Sequence, residues 1–377
     1  MVLSNCRILV TGANGFIGKN LVVRLNELSN VSVTTFLRGD DFSILPKLMT
    51  QVDAVVHLAG ENRPADETAF AQVNAGLTSA LCHAIQQDFG SSGRHVPLVL
   101  ASSTQAERDN PYGRSKLAAE EAVQALAQET GNPCVIFRLP GVFGKWCRPN
   151  YNSVVATFCN NIARDLPIQI NDPSASLRLV YVDDVVTALL AALNAPTSGC
   201  VQAQVEPEYK VTLGELANKI RAFNDGRSTL MMERVGTGFV RALYATYVSY
   251  LPSERFSYEV PQHADPRGVF VEMLKTPDSG QISYFTAHPG ITRGGHYHHT
   301  KTEKFLVIKG EALFRFRHLL TNELVELRTS GDTPQVVDTI PGWTHDITNV
   351  GDDEMVVMLW ANENFDRQKP DTVASKV

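Results

Sequence analysis

The chain has 377 residues, of which 44% are hydrophobic and 20% charged, with a formal net charge of -6. That length exceeds what one hydrophobic core usually serves, so two domains are expected. The acidic balance, with no run of lysine and arginine, argues against a nucleic-acid partner, and no apolar run is long enough to suggest a membrane span.

In chain order, short β-branched runs at 7–11, 31–37, 53–59, 96–102 and 133–139 alternate with helix-length amphipathic stretches at 15–28, 68–87 and 112–129. Such alternation predicts an α/β doubly wound parallel sheet with crossover helices. After about residue 243 the texture changes. From Phe256 onward, short runs of period two are broken by turns such as 265–268, 277–280 and 350–352, which predicts an all-β antiparallel sandwich or barrel. The boundary falls between Arg241 and Glu254, giving expected domains 1–245 and 246–377. Six cysteines (Cys6, Cys82, Cys134, Cys147, Cys159, Cys200) form no C-x-x-C pair and read as reduced thiols. The N-terminus enters a strand at once, without a charged-then-apolar leader pattern, so a cytoplasmic location is expected.

The segment 11–18, T-G-A-N-G-F-I-G, follows a strand and opens a helix. Glycines there make a tight turn and let backbone N–H groups approach a pyrophosphate at a helix N-terminus. Gly12, Asn14, Gly15, Phe16, Ile17 and Gly18 are therefore candidate dinucleotide contacts. The second strand closes on Arg38 rather than an acid, which tilts the cofactor toward NADPH; the alternative is a solvated arginine beside Asp40 and Asp41. Tyr112 and Lys116 lie one turn apart on one helical face, and the preceding strand ends on Ser102, Ser103 and Thr104. A nearby ammonium would lower the phenol pKa, so that Tyr112 could protonate a carbonyl oxygen as hydride arrives.

On these motifs, residues 1 to about 240 resemble an extended short-chain dehydrogenase/reductase acting on nucleotide sugars. The resemblance implies Thr104 as hydrogen-bonding hydroxyl, with Ser103 its close rival, Tyr112 as acid and Lys116 as orienting cation, the last two also touching cofactor. It further implies that His57, Leu58 and Ala59 line the cofactor, and that Val73-Asn74 and 138–144 belong to the family framework. Arg178 would meet the nucleotide diphosphate, with a structural pairing to Asp183 or Asp184 as the alternative.

In the second half, 290–310 reads G-x5-H-Y-H-x4-E-x6-G. Imidazoles at i and i+2 on a strand face one way, and a carboxylate from the next strand completes a divalent-metal site. His296, His298, Glu303 and His345 are the candidate ligands, zinc the expected ion, and His299 should point to the opposite face. These segments resemble the cupin (jelly-roll) motifs, the second less closely because Pro341 and Gly342 are adjacent. Arg293, His296 and Lys304, with 265–270, also resemble metal-free deoxysugar 3,5-epimerases, which implies His296 as a catalytic base as well as a possible ligand.

The two halves in this order resemble the bifunctional CapF-like enzymes of the UDP-N-acetyl-L-fucosamine pathway in capsule and O-antigen synthesis. That resemblance implies a UDP-4-keto-6-deoxy-N-acetyl-hexosamine substrate, C3 epimerisation followed by NADPH-dependent reduction at C4 to UDP-2-acetamido-2,6-dideoxy-β-L-talose, and a homodimer. Two alternatives are a nucleotide-sugar 4-reductase whose cupin half is purely structural, and a non-enzymatic NADPH-sensing scaffold.

Overall fold

The computed structural model describes residues 6–62, 66 and 70–377. Two compact units emerge, and the division is not one cut. One unit runs to Ile220 and takes in Ala242–Leu251; the other comprises Arg221–Arg241 and Pro252–Val377. The helix Gly238–Val248 buries Ala242, Leu243, Thr246 and Tyr247, while Met231 bridges to Lys275 within the second unit. Composition along a sequence shows where texture changes, not where a chain returns.

The first unit is built on a six-stranded parallel sheet in the order Val31–Phe36, Cys6–Thr11, Ala54–His57, Leu98–Ser103, Cys134–Leu139, Cys200–Ala203. Its central strands are buried on both faces, which is why they read as nearly continuous apolar runs. One face packs against Leu81, Ile85, Val123 and Leu126, the other against Leu21, Leu25, Val185 and Leu189. The sheet is thus doubly wound.

Helices begin and end on local chemistry. In Pro111–Thr130, the Asn110 side chain accepts from Gly113 N at 2.8 Å, proline occupies the first turn, and Gly131 closes the helix at φ 72°. The stretch expected as a helix from residue 68 begins outside the described residues; within them a π-helical segment, Phe70–Gly76, precedes Leu77–Ser92. A smaller sheet of Gly141–Phe143, Ser176–Tyr181 and Glu208–Thr212 lies in the same unit.

The second unit holds two antiparallel sheets. One runs Gln262–Asp265, Gly268–Lys275, Gln281–Ala287, Met355–Ala361, Glu303–Lys309, Val336–Asp338; the other runs Leu324–Ser330, Glu311–His318, Trp343–Asn349, Thr292–Tyr297, Val373–Ala374. Phe285, Phe305 and Val357 of the first sheet share a core with Phe314, Phe316 and Ile347 of the second. This is the sandwich expected from period-two patterning. No helix among the described residues is long and apolar enough to cross a membrane, and all six cysteines are free.

Candidate functional site

In the first unit, the glycine-rich turn is shaped by close backbone approach. Gly12 has φ 69°, and a Cβ there would stand 2.6 Å from Ala59 N; a Cβ on Gly18 would stand 2.2 Å from Gly12 O. Thr11 Oγ1 accepts from Leu58 N at 3.2 Å and Ala59 N at 3.1 Å, locking that loop against the turn. The following helix, Phe16–Asn26, has Gly15 at its N-cap and no side-chain cap. Its first amides are left for an anion.

The His57 side chain is turned into the core. It is 1% exposed, with Nδ1 2.6 Å from Thr11 Oγ1 and Nε2 2.8 Å from Thr78 Oγ1. Burial, reinforced by Lys116, pushes its imidazole down to about 3, so it remains neutral and braces Thr11. Arg38 lies at the end of the second strand and is largely exposed. Asp40 and Asp41 cap local turns by accepting from Leu37 N and Ser43 N, and Arg38 instead ion-pairs with Glu61 while 82% exposed.

Tyr112 and Lys116 project from the first turns of Pro111–Thr130. Lys116 Nζ lies 5.9 Å from the Tyr112 ring centre, over its face, and 3.4 Å from Ala101 O. Burial lowers the Lys116 ammonium to about 8, and Glu120 opposes the shift. Burial also raises the Tyr112 phenol, contrary to the lowering expected from the ammonium; the neighbouring Ser103 hydroxyl works the other way. Ser103 Oγ, one residue before Thr104, accepts from Gln105 N at 3.1 Å, and Thr104 stands on a cavity wall.

Glu120, which motif reading passed over, completes this face. It is 1% exposed, accepts from Ser102 Oγ at 2.5 Å and from Arg138 Nη2 at 2.7 Å, and Arg138 also reaches Glu107 at 2.8 Å. The spacing Tyr112, Lys116, Glu120 repeats every four residues, which a helical-face reading could have used. Beside it, Asn74 donates to Ser115 Oγ at 3.0 Å and accepts from Glu61 N at 2.7 Å.

A cavity of about 560 Å³ opens past the strand ends, lined by Thr104, Glu107, Arg138, Gly141, Arg178 and Glu208 among others. Arg178 is held by Glu208 through two contacts of 2.7 Å. Asp183, one of the two acids expected beside it, pairs with Lys145 at 2.5 Å.

In the second unit, the ligating atoms of His296, His298, Glu303 and His345 all lie within 4.8 Å of one another. A bulge between Gly294 (φ 95°) and His296, with Gly295 at φ 74°, turns His296 to lie opposite His345. Glu303 Oε2 is 3.2 Å from His298 Nε2 and 3.5 Å from His345 Nε2; its Oε1 is 2.8 Å from Lys301 Nζ. Burial would raise this carboxyl, but His298, His345 and Lys301 outweigh it and hold the group well below the usual range. Burial and the neighbouring His345 push His296 down to about 4.

His345 Nε2 is buried with no partner nearer than the Glu303 carboxylate at 3.5 Å, a costly state that a cation bound between the two would relieve. Three imidazoles and a carboxylate fit a zinc-type ion. His296, Glu303 and His345 also line a cavity of about 150 Å³ together with Arg293, whose Nη2 is buried and unpartnered. Lys304 is absent from that wall. Its strand alternates, so Glu303 faces in and Lys304 faces out, 2.5 Å from Asp338; the inward lysine is Lys301. His299 is exposed, its backbone N–H bound by Asp371.

Residues 8–205 match the NAD dependent epimerase/dehydratase family, and residues 263–373 match the polysaccharide biosynthesis C-terminal domain. The chain is 57% identical over 371 residues, 98% of its length and 99% of the relative's, to UDP-2-acetamido-2,6-beta-L-arabino-hexul-4-ose reductase of Pseudomonas aeruginosa. It is similar in structure to the capsular polysaccharide assembling protein CapF of Staphylococcus aureus, with TM-score 0.90 and 42% identity over 98% of this chain and all of that one. Bordetella bronchiseptica WbmF, solved in complex with NAD+, shares the fold at TM-score 0.53 and 21% identity, covering 60% of this chain and 80% of its own.

Proposed function

Because this chain belongs to the CapF-like proteins, which join a NAD dependent epimerase/dehydratase domain to a polysaccharide biosynthesis C-terminal domain, we propose that it is a bifunctional nucleotide-sugar enzyme. The second half epimerises C3 of a UDP-2-acetamido-2,6-dideoxy-4-hexulose, and the first half reduces the C4 ketone with NADPH. The product is UDP-2-acetamido-2,6-dideoxy-β-L-talose, made in the cytoplasm by a homodimer for capsule or O-antigen synthesis.

The observation that carries the reductase half is the Tyr112 phenol, one turn from buried Lys116, whose Nζ stands 5.9 Å from its ring centre, at the carboxyl edge of a parallel sheet. The nicotinamide, when bound, supplies hydride to C4. Tyr112 delivers the proton to the C4 oxygen, Ser103 holds the phenol and that oxygen in line, and Lys116 balances charge on the phenol. Arg178 receives the diphosphate, exchanging Glu208 for phosphate oxygens. Arg38 stands at the end of the second strand to receive a 2′-phosphate, which would displace Glu61.

In the second half, His296 faces the cavity and takes the C3 proton, leaving an enolate whose oxygen meets the unpartnered Arg293 Nη2. C3 regains a proton from solvent on its opposite face, and His296 releases the one it took to solvent. His298, Glu303 and His345 would hold the ion, with His296 as the fourth donor when no sugar is present. The ion would supply Lewis-acid polarisation of the ketone.

A second reading keeps the reductase and makes the barrel structural. It is favoured by the donor set itself, since four protein ligands in a buried cluster are the pattern of closed structural zinc. NMR product analysis in deuterated water, with UDP-4-keto-6-deoxy-HexNAc and NADPH, separates the two. Deuterium at C3 that is lost in His296→Ala while C4 reduction survives supports the bifunctional reading. NADPH consumption without C3 exchange in the wild type leaves the reductase with a structural barrel.

A further inference from the structure

The C-terminal segment lies along the strands that carry the histidine cluster. Ala374 pairs with His296 and Val373 with Tyr297. Ser375 N donates to Gly295 O at 2.9 Å, and Ser375 O accepts from Thr344 Oγ1, next to His345, at 2.7 Å. Arg317 holds the end through Lys376 O at 2.6 Å. This strand of two residues buries neither of its own side chains, so apolar packing does not explain its place.

Asp371 is where the segment meets the cluster. Its backbone carbonyl accepts from His298 Nδ1. Its carboxylate binds three successive backbone N–H groups of the turn between His298 and Glu303: His299 at 2.9 Å, Thr300 at 2.7 Å and Lys301 at 2.8 Å, with Thr300 Oγ1 at 3.1 Å. One residue therefore fixes the tautomer of one ligand and the turn that separates it from another. With Nδ1 donating to a carbonyl, Nε2 keeps its lone pair and faces Glu303.

We propose that Asp371 is a positioning residue of the metal centre and that the C-terminal segment it begins is a strap that docks cooperatively with metal. The inference rests on the metal centre proposed above. By linkage, if the strap orders the ligands for the ion, the ion must favour the docked strap by the same factor. Hydrogen bonds that orient ligating histidines typically govern about 10- to 100-fold in metal affinity.

The test is zinc affinity by competition with a chromogenic chelator, for the whole protein, its Asp371→Ala and Asp371→Asn variants, and a chain ending at Lys369. Cobalt(II) spectra report ligand geometry directly. The expected result is at least tenfold weaker zinc binding in Asp371→Ala and the shortened chain, with an altered cobalt band. Asp371→Asn, which keeps one carbonyl acceptor for the turn, should fall between. Wild-type affinity and an unchanged cobalt spectrum in Asp371→Ala would overturn the strap, whereas a wild type that binds no zinc would overturn the metal centre itself. Should the variants fail to fold, limited proteolysis of the wild type decides: zinc must slow cleavage within 366–377, and equal rates with and without zinc refute the coupling.

Discussion

The Ser103 hydroxyl, at the end of the strand Leu98–Ser103, acts on the Tyr112 phenol in the first turn of the helix Pro111–Thr130, working against the rise that burial imposes. Thr104, next in the chain, sits on the cavity wall instead. Ser103→Ala is therefore expected to lower kcat for NADPH oxidation by about 10- to 100-fold, and Tyr112→Phe by about 100-fold or more. Thr104→Ala should act mainly on KM. Equal kcat losses at both hydroxyls would refute the assignment.

Alkaline pH should switch the reductase off. Lys116 is lowered to about 8 because it is buried, and Glu120 resists that shift. Turnover should fall as pH rises through about 8 and the ammonium is lost. Removing the opposing charge in Glu120→Gln should move the alkaline limb to lower pH, while shortening Arg138 to Lys leaves Glu120 in place and should move it less. The pH profile of kcat for NADPH oxidation in the three proteins checks the sign.

Cofactor binding should be sensitive to one methyl group. Gly12→Ala combines φ 69° with a Cβ 2.6 Å from Ala59 N, so the turn or the Leu58–Ala59 loop must move. Such left-handed strain costs about 1–3 kcal/mol before any clash is counted. NADPH affinity by fluorescence titration is expected to weaken at least tenfold.

Acid should destabilise the first unit through His57. Its folded value of about 3 lies below the ordinary 6.5, so its stabilising share is complete above pH 6.5 and is lost as pH falls toward 3. His57→Gln should melt lower at pH 7, having lost two buried hydrogen bonds, yet lose less Tm than the wild type between pH 7 and pH 5. Parallel Tm profiles for the two proteins would contradict this.

The parallel strands were legible because burial on both faces writes apolar runs into the sequence, and the barrel strands because alternation does. The four histidine-cluster residues were legible for a related reason: a metal needs donors on one face, and strands repeat every two residues. What escaped was set by partners distant in sequence. Asp371 stands 73 residues from His298, and nothing local marks it. Lys304, named by family likeness alone, faces outward beside Asp338 because its strand alternates. Arg178 was given the wrong structural partner because Glu208, 30 residues on, becomes its neighbour only across a pair of antiparallel strands.

The first unit is discontinuous: its chain departs at Ile220 and comes back at Ala242 to set Leu243 and Tyr247 in its interior. On the ribosome, the nascent reductase half accordingly stays one helix short until Leu251 has emerged. A gene split at residue 245 would sever that helix and deliver an N-terminal product with an unfilled apolar seat, so fragments meant to complement one another should be divided after Leu251.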